Sequence, residues 1–272
     1  MSEPEFRTDL YRGAADDYDR FRLPYPGELI DDLAQAVRAD GAGRLLDLAC
    51  GTGLVAFALH GRFAETWAAD QEPDMVAVVR EKARAAAITG LRAEVASAER
   101  LDAPAAAFDL ITLGNAFHRL RRAAVAGNIA RWLRPGGYVA LVWSENPWPG
   151  PEPWQQAMAA TVERWRARLG GPDRIPAGYQ EDRERTPDRT VLENAGLEFL
   201  GTRTFPTRHA WTAQSLAGFV YATAILPRGL FGESAADFEQ ELDSDLRACQ
   251  AAGPYPQTIR FAYDLARRPL ST

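Results

Sequence analysis

The segment Asp47-Leu48-Ala49-Cys50-Gly51-Thr52-Gly53 constrains the chain more than any other, because it joins the apolar run Arg44–Leu48 to a helical run from Leu54 to Leu59. A strand that ends in a glycine turn and re-enters as a helix is the opening of a βαβ unit. Gly51 and Gly53 permit backbone conformations, and a close approach of ligand to helix N-terminus, that a Cβ would obstruct. Asp47 stands at the end of the strand, where a carboxylate can face a cation or an amine. Asp70 ends the next strand-like run, Glu65 to Asp70, 17 positions after Gly53. At that spacing an acid accepts hydrogen bonds from two ribose hydroxyls. Loop and acid together describe a nucleoside pocket.

The same alternation continues along the chain. A helix is expected from Pro73 through Ala87, with Pro73 and Asp74 suited to its first turn. Strands follow at Leu91–Val95 and Phe108–Leu113, then a helix over Ala123–Leu133 that ends at a Pro135-Gly136-Gly137 breaker, and a strand over Tyr138–Trp143. Five strands separated by helices make a doubly wound α/β sheet. Upstream, an irregular segment ending at Tyr25-Pro26 precedes an amphipathic helix, Gly27 to Ala39, with Leu29, Ile30, Leu33 and Val37 on one side. Downstream, the proline-rich stretch Asn146–Pro151 leads into a helix from about Glu152 to Leu169. Further helices are expected at Pro187–Ala195, Ala213–Ala224 and Ala235–Ala248. Strand-like patterns cover Glu198–Trp211 and Thr258–Leu265.

Gly51-x-Gly53-x-x-Ala56 also fits a dinucleotide fingerprint, a weak signal when it stands alone. A carboxylate such as Asp47 directly before the loop would repel a pyrophosphate, whereas a cofactor carrying sulfonium and ammonium groups would tolerate it.

DLACGTG with Asp70, then FDLITLGNAFH and LRPGGYVALVW, in that order, resembles the class I S-adenosylmethionine-dependent methyltransferases over roughly Tyr11 to Glu145. The stretch AADDYDRFRLPYP is similar to the cap of small-molecule members of the ubiquinone-biosynthesis and trans-aconitate type. The resemblance implies a seven-stranded, Rossmann-like sheet, mostly parallel with an antiparallel last strand, carrying helical cap and lid insertions. It divides the chain into cap helices over 1–40, a cofactor-binding core over 41–145, and lid, acceptor region and last strands over 146–272, all within one compact domain.

The resemblance also assigns residues. Asp47, Ala49, Gly51 and Gly53 fall beside the amino-acid and ribose portions of S-adenosylmethionine, and Asp70 at the ribose hydroxyls with Gln71 next to it. Met75 packs on the adenine face; Ser97, Ala98 and Glu99 lie at the adenine edge. Ser97 departs from the aspartate that relatives often carry. Asn115 and Ala116 follow the fourth strand beside the reactive methyl. Tyr18, Arg22 and Tyr25 close over the methionine end, with Arg22 facing its carboxylate. His118 is the candidate catalytic residue, deprotonating or orienting an acceptor hydroxyl.

Each reading has a plainer competitor. Met75 also reads as core filler, Arg22 as a partner of Asp19, and His118 as a packed histidine. Trp143, Trp148, Trp154 and Phe219 either line an acceptor pocket or anchor loops. His209 reads as structural.

Composition narrows the function. Acidic residues outnumber basic ones, 37 to 31, for a net charge of -6, and the pI is near 5.3. Such a surface offers no overall field for a nucleic-acid backbone. A small-molecule acceptor is expected, with no nucleic acid, no membrane and no metal, in a monomer or homodimer. Cys50 and Cys249 are the only cysteines, and they form neither a disulfide framework nor a metal cluster. With no signal-like apolar core at the start and no apolar window of about 18 residues, a cytoplasmic protein is expected. The leading reading is methyl transfer to a small acceptor, most often at oxygen, by in-line displacement. Two alternatives stay open: a cofactor-binding protein that transfers no methyl group, and a nicotinamide-dependent oxidoreductase.

Overall fold

The computed structural model of the chain describes residues 6, 9–170, 174, 176–250 and 253–270. Parts of the expected cap (residues 1–5, 7 and 8) and of the expected lid region (171–173, 175, 251, 252, 271 and 272) lie outside the described residues.

Helices α1 (Ala15–Phe21) and α2 (Gly27–Ala36) precede the alternating core β1 (Arg44–Leu48), α3 (Leu54–Leu59), β2 (Glu65–Asp70), α4 (Pro73–Ala85), β3 (Leu91–Val95), β4 (Phe108–Gly114), α5 (Arg122–Trp132) and β5 (Leu133–Ser144). The chain continues through α6 (Pro153–Leu169), α7 (Tyr179–Arg185), α8 (Asp188–Asn194), β6 (Glu198–Trp211), α9 (Ala213–Tyr221), α10 (Ala235–Cys249) and β7 (Tyr255–Arg267). The seven strands form one sheet in the order β3-β2-β1-β4-β5-β7-β6. β1 to β5 pair in parallel, and β7 runs antiparallel to both β5 and β6. The expected doubly wound, mostly parallel, seven-stranded sheet is the one observed.

Strand sequence explains strand position. β1 is buried from Leu45 to Leu48, as a central parallel strand covered on both faces must be. β3 and β6 stand at the edges, and their burial alternates or fades. Alternate side chains divide most of the core into two large clusters, beside a small third one of Cys50, Ala56, Ala68 and Val79. Leu45, Leu110 and Val142 pack with α2, α6, α9 and α10 on one side. Leu46, Ile111 and Leu141 pack with Trp132 of α5 and Leu192 of α8 on the other.

Two local expectations need correction. Pro135-Gly136-Gly137 does not break the chain between helix and strand. β5 begins at Leu133, which pairs with Phe108, and the register shifts between Phe108 and Leu110. The glycines make a bulge: Gly136 has φ 77°, and a Cβ on Gly137 would meet the Phe108 carbonyl at 2.9 Å. The segment before Tyr25-Pro26 is also not wholly irregular, since Ala15–Phe21 forms α1.

α1 reaches the core by a close contact on α9. An ideal Cβ on Gly218 would lie 2.3 Å from ring atoms of Phe21, so the ring occupies the space that the glycine leaves. Lys82 of α4, the chain's single lysine, holds the other side of α1, with Nζ 2.6 Å from Asp19 Oδ1 and 3.2 Å from the Thr52 carbonyl. We expect Gly218→Ala to expel the Phe21 ring, to destabilise the fold by about 1–3 kcal/mol, and to loosen α1. Denaturant unfolding measures the first effect, and amide exchange over Ala15–Phe21 the second.

Candidate active site

The strand order reverses between β1 and β4, and open α/β sheets bind ligands in the crevice beyond the strand ends at such a point. A cavity of about 560 Å³ lies there. β1 supplies Ala49 and Gly51 to its wall, β2 supplies Asp70 and Gln71, and α4 supplies Met75. The turn after β3 adds Ser97, Ala98 and Glu99, the end of β4 adds Asn115 and Ala116, and α1 adds Tyr18. Eleven of the residues assigned from the sequence thus meet around one space.

Backbone conformation aims these residues. Ala49 and Asn115, just past β1 and β4, both adopt positive φ, 53° and 50°. Non-glycine residues there carry about 1–3 kcal/mol of strain, and such strain concentrates at binding sites. Gly51, at φ 54°, faces the Tyr18 ring, which a Cβ would approach to 3.3 Å. Asp70 Oδ2 accepts from the Gly51 N–H at 2.8 Å, and Oδ1 from the Glu72 N–H at 2.9 Å. Each oxygen keeps a second lone pair for the cavity. Burial raises the Asp70 pKa above the usual carboxylate range, against the pull of those N–H groups.

Asp47 and Gly53 do not line the cavity. Asp47 is 1% exposed, and its oxygens accept from the Ala56 N–H at 3.0 Å and the Thr112 hydroxyl at 2.8 Å. Ala56 is the third residue of α3, so Asp47 satisfies a free donor at that helix's N-terminus. Gly53 is the left-handed residue that starts α3, at φ 82°, and a Cβ there would meet Phe57 at 2.9 Å. Asn115 uses its side chain to join strand ends, donating to Tyr25 Oη at 3.3 Å and Ser144 Oγ at 3.2 Å. Glu99 accepts from the Arg121 N–H.

A second cavity, of about 480 Å³, opens on the other side of Asn115 and Ala116. His118 and Arg22 belong to this one and not to the first. The expected Arg22–Asp19 pair is absent, since Asp19 is bound to Lys82. Trp143 lines the second cavity, whereas Trp148, Trp154 and Phe219 are buried in the core. His209 packs its ring against Trp211 at 4.4 Å. Burial, then Arg119, Arg183, Arg22 and Arg122, hold the His118 pKa well below its ordinary value, so the imidazole is neutral at pH 7. The cavity's outer wall includes Tyr179 and Arg183 of α7. That helix is fastened by Arg122, itself 3% exposed, which contacts Asp182 and Asp188 at 2.7 Å each.

Sequence reasoning missed several wall residues. Glu72 and Tyr11 line the first cavity, and the Glu72 Oε1 and Tyr11 hydroxyl are buried with no partner among the described residues. Val95 lines it while 47% exposed. Arg119 lines both cavities. Glu72 and Arg119 adjoin residues already singled out, and only chain geometry distinguishes them from their neighbours.

Sheet order, switch-point cavity and acid at the end of β2 form the arrangement that the sequence resemblance implies. Residues 45–137 match the family described as a methyltransferase domain, which bears out the resemblance read from the sequence. An uncharacterized methyltransferase of Mycobacterium tuberculosis is 35% identical over 127 residues, 47% of this chain and 49% of that protein. The chain thus spans about half the length of the curated relatives it first matches. The ubiquinone/menaquinone biosynthesis C-methyltransferase UbiE of Zymomonas mobilis is 29% identical over 148 residues, 52% of this chain and 61% of the relative. In fold, the chain is similar to the YcgJ protein of Bacillus subtilis, with TM-score 0.58, 16% identity, and coverage of 90% and 100% of the two chains.

Burial raises the Asp47 pKa from 3.8 to about 7. An acid whose pKa is higher in the folded state stabilises the fold fully below its unfolded value, and this contribution is lost as pH rises through the folded one. At about 1.4 kcal/mol per unit, up to about 4 kcal/mol is at stake between pH 4 and pH 8. Asparagine preserves the geometry, with Oδ1 accepting from Ala56 and Nδ2 donating to the Thr112 oxygen. We expect ligand-free Asp47→Asn to match wild type in urea unfolding only below about pH 4 and to exceed it by a growing margin from there to pH 8.

Proposed function

We propose that the protein is an S-adenosylmethionine-dependent methyltransferase of a small organic acceptor. The observation that carries this reading is Asp70: a carboxylate locked by two backbone N–H groups, with free lone pairs turned into a cavity walled by residues from four strand ends. The residues fit a nucleoside cofactor. Asp70 would hold the ribose hydroxyls, with Gln71 beside it. Met75 and the exposed Val95 would flank the adenine, and Ser97, Ala98 and Glu99 its edge. The unpartnered Glu72 Oε1 and Tyr11 hydroxyl offer further polar contacts. Ala49, Gly51 and Tyr18 would hold the amino-acid end, with Asn115 and Ala116 at the boundary between the two cavities.

When bound, S-adenosylmethionine supplies a methyl carbon already activated by its sulfonium. The protein's work is therefore to align an acceptor with that carbon and to keep water out. Asn115 and Ala116 would form the passage between donor and acceptor sides. His118, neutral and lining the second cavity, would orient the acceptor; our leading acceptor atom is a hydroxyl oxygen. A dinucleotide fits less well, because Asp47 occupies the α3 N–H that a pyrophosphate would need. We place the enzyme in the cytoplasm, as a monomer or homodimer without a nucleic-acid partner. Cys50 and Cys249 are both free thiols, which suits a reducing compartment.

Calorimetry should give one-to-one binding of S-adenosylhomocysteine and no binding of nicotinamide dinucleotides. Loss of hydrogen bonds to a charged acceptor predicts that Asp70→Ala weakens that binding about 10- to 100-fold. Incubation with methyl-labelled cofactor and candidate acceptors should move the label into product. Label kept wholly in the cofactor would leave a binding protein that transfers no methyl group.

For His118 the expected outcome is a pH–rate profile with no inflection near 6.5. His118→Ala should lower kcat by about tenfold or more with S-adenosylhomocysteine affinity unchanged. Normal turnover of that variant would remove the role.

A further inference from the structure

We propose that the cavity beside His118 takes an anionic acceptor, gripping its carboxylate or phosphate oxygens with Arg22 and Arg119. The proposal rests on the methyl-transfer reading and names the substrate class of that site.

Arg22 is the first observation. It is 9% exposed, its Nε has no hydrogen-bond partner, and no carboxylate pairs with it among the described residues. Its guanidinium lies 5.1 Å from the Tyr18 ring centroid and 4.7 Å from that of Phe219, so aromatic faces fix it in place. A buried, unpaired cation is costly to keep, by several kcal/mol, and a planar guanidinium is the side chain best matched to a two-oxygen anion. Arg22 faces the second cavity.

Arg119 is the second. It lines the same cavity, donates to the Asn115 carbonyl at 3.2 Å, and stands 5.2 Å from the Tyr11 ring, again with no carboxylate partner among the described residues. The cavity's remaining arginine is paired. Arg183 contacts Asp188 at 3.2 Å, and Asp188 also contacts Arg122 at 2.7 Å. Asp264 accepts from the Thr202 hydroxyl, and burial raises its pKa. Among the described residues, Arg22 and Arg119 are the cations of this cavity that contact no carboxylate. The depressed basicity of His118, to which Arg119, Arg183, Arg22 and Arg122 all contribute, reports the same positive field from the cavity's interior. Trp143 and Tyr179 add ring surfaces for the body of the acceptor.

The test uses benzoate, phenyl phosphate and neutral benzamide, titrated by ligand-observed NMR into the full chain with and without saturating S-adenosylhomocysteine. Benzoate or phenyl phosphate should bind at least about tenfold more tightly than benzamide, and the stronger of the two identifies carboxylate or phosphate as the group read. Arg22→Gln and Arg119→Gln should each weaken the anion about tenfold or more. In Arg22→Gln the affinity for S-adenosylhomocysteine should stay within about threefold. Arg22→Lys, which retains the charge, should keep part of the anion affinity; circular dichroism and melting check that each variant is folded. Equal binding of benzamide, or failure of both anions to bind at about 10 mM, overturns the proposal. So does a tenfold loss of S-adenosylhomocysteine affinity in Arg22→Gln, which would assign that guanidinium to the cofactor's own carboxylate. If wild type fails to bind S-adenosylhomocysteine, the methyl-transfer reading fails instead, while the anion titrations on the free protein still report on the cavity.

Discussion

Two buried carboxylates, at the ends of neighbouring parallel strands, hold the loop on which the site depends. Asp47 accepts from the third residue of α3, and Asp70 accepts from Gly51 in the turn and from Glu72 at the start of α4. A glycine turn has little stiffness of its own, because glycine loses more conformational freedom on ordering than other residues. The acids supply the restraint from below and from the side. Asp47 does so where no ligand reaches it, whereas Asp70 sits at the cavity wall with lone pairs to spare. One restraint is therefore permanent, and the other is shared with whatever binds.

The strained backbone at Ala49 and Asn115 belongs to the same device. Both residues follow strands that diverge at the switch point, and both turn the chain away from the sheet within one residue. Hydrogen bonds on each side oppose relaxation. The Cys50 N–H is held by the Ala69 carbonyl at 3.0 Å, and the Asn115 N–H by that of Val142 at 2.8 Å. Each strained residue is thus pinned to the strand beside it, which keeps the crevice open between the two strand ends. α1 is then held beside this crevice by packing and charge: Phe21 against Gly218, and Lys82 between Asp19 and the loop carbonyl.

Most of the sheet was legible because its signals are local. β1, β2 and β3 follow runs whose limits are marked by glycine, acid or proline, and Asp70 is located by spacing alone. Less legible features depend on contacts distant in sequence. α1 is short and is held by residues 63 and more positions away, so no periodicity announces it. Pro135-Gly136-Gly137 carries a breaker's composition, yet strand pairing on both sides overrides it and converts it to a bulge. Asp47 was legible as an acid at a strand end, but its direction was not, because the donors that turn it inward come from α3 and β4. The side of Asn115 on which Arg22 falls is likewise set by Tyr18 and Phe219, the latter nearly two hundred residues downstream.

The two cavities meet along Asn115 and Ala116, and their electrostatics differ. The first is bounded by Asp70 and Glu72, acids whose pKa values burial raises. The second is bounded by guanidiniums that depress the basicity of His118. The first also carries Arg100, Arg119 and Arg121, and the second Asp188 and Asp264, so the preference is local: groups with donor hydroxyls or positive charge are favoured beside Asp70 and Glu72, and anions beside Arg22. The strand ends carry both walls at once, since β2 delivers the acids and the turn after β4 delivers Arg119. Separation of the two cavities is thus built into the order of strands, with Asn115, Ala116 and Arg119 as the wall that they share.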